Sequence, residues 1–121
     1  MAIPNISLII STYNRPGALS KVLAGVAGQV MPPKEIVLAD DGSDELTHEV
    51  IQKLTVQLPS SLRHFWHKDS GFRKTKILNQ AIAEARGDYI VLLDGDCVPH
   101  RRFIADHSQL AEPGWWVQGR R

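Results

Sequence analysis

Asp94 and Asp96 flank Gly95 directly after the apolar run Asp88-Tyr89-Ile90-Val91-Leu92-Leu93. In an extended segment, side chains two residues apart fall on the same side, so these carboxylates are expected to approach one oxygen-loving cation such as Mg2+ or Mn2+. An ion of that kind takes carboxylate and phosphate oxygens together and neutralises charge on a departing diphosphate. A lone strand-end aspartate more often caps a turn. Here, however, two more polar clusters, Ser11-Thr12-Tyr13-Asn14 and Asp40-Asp41-Gly42-Ser43, follow two more apolar runs. If the three clusters meet, they supply an aromatic ring, several hydrogen-bonding groups and a set of carboxylates. That inventory suits a base, a ribose and a metal-bound phosphate better than an apolar ligand.

The elements needed to bring these clusters together are legible as a strand–helix rhythm. Ile6 to Ser11 is a β-branched run that ends in Asn14, Pro16 and Gly17, and Leu19, Val22, Leu23 and Val26 then recur at helical spacing up to Gly28 and Pro32-Pro33. Glu35 to Ala39 reads as a second strand, and Leu46, Val50, Leu54 and Leu58 mark a second helix that Ser43 or Asp44 is placed to cap. A third strand is expected over Leu62 to His67, followed by a helix carrying Ile77, Leu78, Ala81, Ile82 and Ala85 on one face and ending at Gly87. Asp88 to Leu93 is the fourth strand, with a short helix expected from Arg101 to Leu110 and the start of another strand from Gly114 to Arg121. Alternating units of this kind predict an α/β fold, a Rossmann-like and mostly parallel sheet with helices on both faces. Right-handed crossovers then place every strand-end loop along one edge, where such sheets bind ligands.

The bulk properties leave the specificity to a local site. The chain has 121 residues, 14 Lys and Arg against 13 Asp and Glu, and a formal charge of +1, which gives no field that would draw it to nucleic acid. Cys97 is the sole cysteine, so no disulfide can form within the chain, and Met1 to Asn5 lacks the basic start of a signal peptide. A cytoplasmic setting is expected.

Four stretches taken together resemble the glycosyltransferase family 2 enzymes of the GT-A fold, over essentially the whole length. They are Ile6 to Arg15, Ile36 to Ser43, Gly71 to Asn79 and Leu92 to Asp96. The resemblance implies transfer of a sugar from a nucleotide-sugar donor, a UDP-sugar, to a saccharide or lipid-linked acceptor. It also implies inversion at the transferred carbon, dependence on Mn2+ or Mg2+, and a role in cell-surface polysaccharide or glycoconjugate synthesis, with peripheral association at the inner face of the membrane. By the same resemblance, Thr12 and Tyr13 line a uracil pocket beside Asn14 and Arg15, Asp41 hydrogen-bonds the base, Asp94 with Gly95 meets the ribose, and Asp96 ligates the metal. Arg73 and Lys76, ahead of Lys74, are placed at the start of the third helix to hold a diphosphate, with ordinary solvated first-turn cations as the alternative. The family's carboxylate base lies downstream, and residues 97 to 121 hold no match for it. The expected organisation is therefore one donor-binding domain over residues 1–121, incomplete at its C-terminus, in which an uncovered edge would favour a homo-oligomer.

Other readings stay in view. Adjacent strand residues point to opposite faces, so of Asp40 and Asp41 one faces the ligand and the other braces a loop. His64, His67, His100 and His107 show no ligand pair at zinc-site spacing and are assigned structural or exposed roles, with His100, nearest the site, a minor candidate for a metal or phosphate contact, and Cys97 reads as a small buried thiol and not a nucleophile. A nucleotidyltransferase would want a Gly-rich loop after the first strand and a dinucleotide-binding domain G-x-G-x-x-G, whereas Thr12 to Gly17 supplies neither. A noncatalytic binding or assembly module derived from a glycosyltransferase is the alternative from another class.

Overall fold

The computed structural model describes residues 3–120; Met1 and Ala2 at the start of the N-terminal segment and Arg121, the last residue of the expected fifth strand, lie outside the described residues. The chain runs β1 (Ile6–Thr12), α1 (Pro16–Ala27), β2 (Glu35–Asp40), α2 (Glu45–Thr55), β3 (Ser61–Trp66), α3 (Lys74–Glu84), β4 (Tyr89–Asp94) and α4 (Phe103–Leu110). All strand pairs are parallel and the spatial order is β3-β2-β1-β4. The chain thus steps outward from β1 to β3 and then returns to the other side of β1. Right-handed crossovers put the outward helices on one face and the returning helix on the opposite face.

Two cores record that split. Leu8 and Ile10 of β1, Leu19, Leu23 and Val26 of α1, Ile36 and Leu38 of β2, Ile51 of α2 and Ile104 of α4 form one. Ile9, Val37 and Ala39 meet Ile77 and Ala81 of α3 in the other. The period of two along β1 and β2 therefore feeds both faces, which explains why these strands are apolar throughout instead of alternating. Each fully buried Leu or Ile contributes about 1.5–3 kcal/mol of transfer free energy. Both outer strands are only partly covered: α3 packs on β1, β2 and β3, and on β4 Ile90 and Leu92 stay exposed.

The structure corrects several expected details. Residues 114–120 form a turn and irregular chain without a strand, and Trp115 and Trp116 are exposed; with no sheet neighbour, their apolar side chains have no ladder to join. α4 begins at Phe103, two residues later than expected, and β3 ends at Trp66. Neither Ser43 nor Asp44 caps α2 with its side chain. Ser43 Oγ instead accepts from the Asn14 N–H at 2.9 Å, and Asn14 Oδ1 accepts from the Asp44 N–H at 2.7 Å. The capping groups are spent on tying the first two strand-end loops together, with Asn14 held at φ 46°.

At the amino edge of the sheet, the buried Glu35 carboxylate accepts from Ser7 Oγ (2.6 Å), Arg63 Nη2 (2.8 Å) and the Arg86 N–H (2.6 Å). Burial alone would raise its pKa, but those donors outweigh it and hold the group below its ordinary value of 4.5. Buried Asp40 behaves likewise: burial pushes up, while His64 and Ser43 together bring the carboxyl below 3.8. Between each folded value and its unfolded one, the unfolded chain binds more protons, so stability rises with pH there. The contribution is intact above the ordinary carboxylate values and is lost as pH falls through the depressed ones. Urea unfolding at a series of pH values should show this acid loss, and Glu35→Gln should reduce its steepness because it removes one of the two titrating groups.

Candidate functional site

The loops after β1, β2, β3 and β4 meet at the carboxyl edge around a cleft of about 500 Å3. Its lining includes Ser11, Thr12, Tyr13 and Arg15 from the first loop, Asp41 from the second, Asp69, Gly71, Phe72 and Lys74 from the third, and Asp94, Gly95 and Asp96 from the fourth. Because β1 is flanked by β2 on one side and β4 on the other, the cleft opens where the strand order reverses, the place at which open parallel sheets bind ligands.

The acidic turn is built differently from the expectation. β4 ends at Asp94, and Gly95 and Asp96 lie in a turn closed by the Cys97 N–H donating to the Asp94 carbonyl at 3.0 Å. The two carboxylates are thus gathered by a turn and not by strand alternation. One donor atom each from Asp94, Asp96 and Cys97 lies within 4.8 Å of the others. Two carboxylates beside an open cleft form a donor set that fits a hard divalent ion, with room for a ligand's oxygens and water to complete its shell. Cys97 Sγ donates to Asp96 Oδ1 at 3.5 Å, Arg15 Nη1 stands 3.9 Å from Asp96 Oδ2, and Lys74 Nζ reaches Asp94 Oδ1 at 3.1 Å. Gly95 packs so closely on the Ser11 carbonyl that a side chain there would collide with it.

Asp41 is the best-held carboxylate of the cleft. Its backbone N–H donates to the Thr12 carbonyl, Oδ1 pairs with His67 Nε2 at 2.6 Å, and Oδ2 accepts from the Arg73 N–H at 2.9 Å. Each oxygen keeps a further lone pair for a ligand N–H. Its neighbour Asp40 points to the opposite face, where Oδ1 accepts from the Ser43 N–H and braces the loop. Tyr13 lies on the rim, half exposed, with its hydroxyl donating to Asp69 Oδ2 at 2.7 Å. That hydrogen bond, more than partial burial, raises the phenol's pKa. Thr12 Oγ1 is buried without a hydrogen-bond partner among the described residues.

The residues singled out from sequence divide accordingly. Thr12, Tyr13, Arg15, Asp41, Asp94, Gly95 and Asp96 come together in the cleft; Asn14 bridges loops behind it. Arg73 contributes its backbone N–H to Asp41 and donates from Nη2 to the Lys68 carbonyl, while Lys76 is exposed and outside the lining. Lys74, ranked behind both, is the basic residue of this helix that faces the cleft. Asp69 and His67 were missed as site residues. The available signal was topological: in a parallel sheet the loop after the third strand opens on the same edge as the other three, so Lys68-Asp69-Ser70-Gly71-Phe72 belonged with the clusters from the start.

Fold and cleft define a parallel α/β domain with an acidic crevice at its switch point. Residues 7–114 match Glycosyl transferase family 2, and the chain belongs to that family. It is 35% identical over 108 residues to a hyaluronan synthase of Pasteurella multocida, covering 88% of this chain and 11% of that protein. To a chondroitin synthase of Escherichia coli it is 28% identical over 111 residues, covering 91% of this chain and 16% of the relative. The chain thus spans only a small part of the length of these curated relatives. Among solved structures, S. aureus TarS 1-349 in complex with UDP-GlcNAc superposes with a TM-score of 0.76 at 27% identity, over 87% of this chain and 30% of that one. The mannosyltransferase PcManGT of Pyrobaculum calidifontis, in complex with GDP-Man and Mn2+, shares the fold at a TM-score of 0.79 and 24% identity, over 93% of this chain and 34% of the other.

Proposed function

We propose that the chain binds the nucleotide-sugar donor of a glycosyltransferase that passes a sugar from a UDP-sugar to a saccharide or lipid-linked acceptor in cell-surface polysaccharide or glycoconjugate synthesis. The observation that carries this reading is the convergence of Tyr13, Asp41, Asp94 and Asp96 on one cleft. The exposed ring of Tyr13 offers a face on which a base can stack, and Asp41, already oriented by His67 and Arg73, accepts from the base's ring N–H. Asp94 serves the ribose, and Asp96, with Asp94 beside it, would hold a divalent ion, Mn2+ or Mg2+. Such an ion supplies Lewis-acid stabilisation of the diphosphate leaving group. Lys74 adds positive charge on the same wall. The reading also includes inversion at the transferred carbon, with a carboxylate base that takes the proton of the acceptor hydroxyl.

The names of the relatives support this reading: a hyaluronan synthase and a chondroitin synthase by sequence, and complexes with UDP-GlcNAc and GDP-Man by structure. The reading includes a cytoplasmic setting at the inner face of a membrane, reached through peripheral association; no helix among the described residues is long and apolar enough to cross a membrane. It also includes self-association, which the exposed Ile90 and Leu92 on edge strand β4 favour.

Calorimetric titration with UDP, GDP and ADP, each with Mn2+, tests the donor assignment. UDP should give heat at one site per chain and bind more tightly than the purine nucleotides; absence of heat with all three sinks the reading. His67→Ala should weaken UDP binding by about tenfold, because the loss of one charge-assisted hydrogen bond frees the Asp41 carboxylate to turn. Equal UDP affinity in this variant would show that the backbone N–H of Arg73 suffices to orient it.

A further inference from the structure

We propose that Asp40, His48 and His64 form a second cation site, suited to a borderline transition ion such as Zn2+ and distinct from the acidic turn after β4. The inference does not depend on the nucleotide-sugar reading. Asp40 ends β2 and is paired in register with Trp66, so His64, two residues earlier on β3, presents its side chain to the same face of the sheet. α2 lies over that face and brings down His48, whose ring centroid is 4.9 Å from that of His64 and 5.8 Å from that of Trp66. The three residues are far apart in sequence, which is why no short ligand motif announces them.

The donor chemistry is that of a zinc centre. One atom from each residue lies within 4.8 Å of the other two. A four-coordinate ion with bonds of about 2.0–2.2 Å wants its donors about 3.3–3.6 Å apart, so closing the set takes a turn of the His48 ring and a parting of Asp40 and His64 by about 0.5–0.8 Å. Asp40 Oδ2 and His64 Nε2 are joined by a hydrogen bond of 2.8 Å, and an ion bound by both would take the place of the shared proton. The other Asp40 oxygen accepts from the Ser43 N–H at 2.9 Å, the kind of outer hydrogen bond that fixes a ligating carboxylate.

Electrostatics gives an independent reason. The Asp40 side chain is fully buried, and among the described residues its only ion-pair partner is His64, whose charge depends on protonation. His64 and the Ser43 N–H stabilise the buried carboxylate, and a divalent ion would add a positive charge that does not depend on protonation. Two imidazoles and one carboxylate select Zn2+, Co2+, Ni2+ or Cu2+ over Mg2+, whereas the Asp94 and Asp96 oxygens favour hard ions. The two sites would therefore sort metals by ligand type. Occupied, the second would join β2, β3 and α2 just behind the turn that carries Asp41.

The test is calorimetric titration of the chain with ZnCl2 in an Asp96→Asn, Cys97→Ser background, which blanks the acidic turn. One Zn2+ per chain should bind, and His48→Ala should weaken it by about a hundredfold, as expected for loss of a ligand. Co2+ in the same background should show the intense visible absorption of a four-coordinate ion, and this should be missing with His48→Ala. Because the Co2+ spectrum of the background chain reports imidazole ligation directly, the proposal stays open to refutation even if a histidine variant folds poorly. No Zn2+ binding in the background, an unchanged affinity with His48→Ala, or a weak six-coordinate Co2+ spectrum would each overturn it.

Discussion

Asp96→Asn should reduce the Mn2+-dependent part of nucleotide diphosphate affinity by about a hundredfold or more while leaving the fold intact. Asp96 lies in the turn after β4, with 43% of its side chain exposed and its nearest ionic partner, Arg15, 3.9 Å away. Its place is therefore maintained by the backbone of the turn and not by burial, and the amide should fit where the carboxylate stood. What is lost is the anionic donor. Outer hydrogen-bonding partners of metal ligands are worth about 10–100-fold, and a ligand itself is worth at least as much. Titrating UDP with and without Mn2+ separates the effects: the variant's affinity should fall close to the metal-free value of the parent. Equal metal dependence in both would remove Asp96 from the assignment.

Gly42→Ala should be the most destabilising single substitution in the loops of the cleft, by about 3 kcal/mol. Two penalties coincide there. Gly42 has φ +97°, a backbone region that side chains rarely adopt, and an added Cβ would lie 2.5 Å from Asp69 Cα and 2.6 Å from Asp69 N. Backbone atoms cannot swing aside as a flexible side chain would, so the loops after β2 and β3 must separate. Tyr13 is anchored to Asp69, and Asp41 precedes Gly42, so the same shift disturbs two of the residues that line the cleft. Chemical unfolding measures the loss of stability, and UDP titration at low temperature should show weaker binding in the molecules that remain folded. A stability within about 0.5 kcal/mol of the parent would mean that the two loops are not tightly coupled.

These two positions also show how the sequence and the fold relate. β1, β2 and α1 were the most legible elements, because β1 and β2 are buried on both faces and must be apolar without interruption, and α1 carries its apolar residues at a clear helical period. From there, parallel topology alone predicts that the strand-end clusters share an edge, and Tyr13, Asp41, Asp94 and Asp96 do share one. Less legible was whatever depends on loop geometry. Nothing local in Asp94-Gly95-Asp96 distinguishes a turn from an extended end; the turn follows from how closely Gly95 packs on the Ser11 carbonyl. The partners of Asp41, His67 just after β3 and Arg73 just before α3, are more than twenty residues away, so no spacing within the Asp40-Asp41-Gly42-Ser43 cluster could reveal them. Lys74 and Lys76 are chemically alike in sequence, and the rotation of α3 alone turns the first toward Asp94 and the second to solvent. The tail from Gly114 misled because aromatic residues favour strands only where a neighbouring strand is available to pair.

The account rests most directly on where a nucleotide and its ion settle. A crystal structure of the chain soaked with UDP and Mn2+, with anomalous scattering used to find the manganese, decides it. The expected map shows manganese about 2.1 Å from an Asp96 carboxylate oxygen, with uracil against Tyr13 and its ring N–H on Asp41. Manganese or nucleotide bound at another place on the molecule, with the cleft between Tyr13, Asp41 and Asp96 left to solvent, would contradict it.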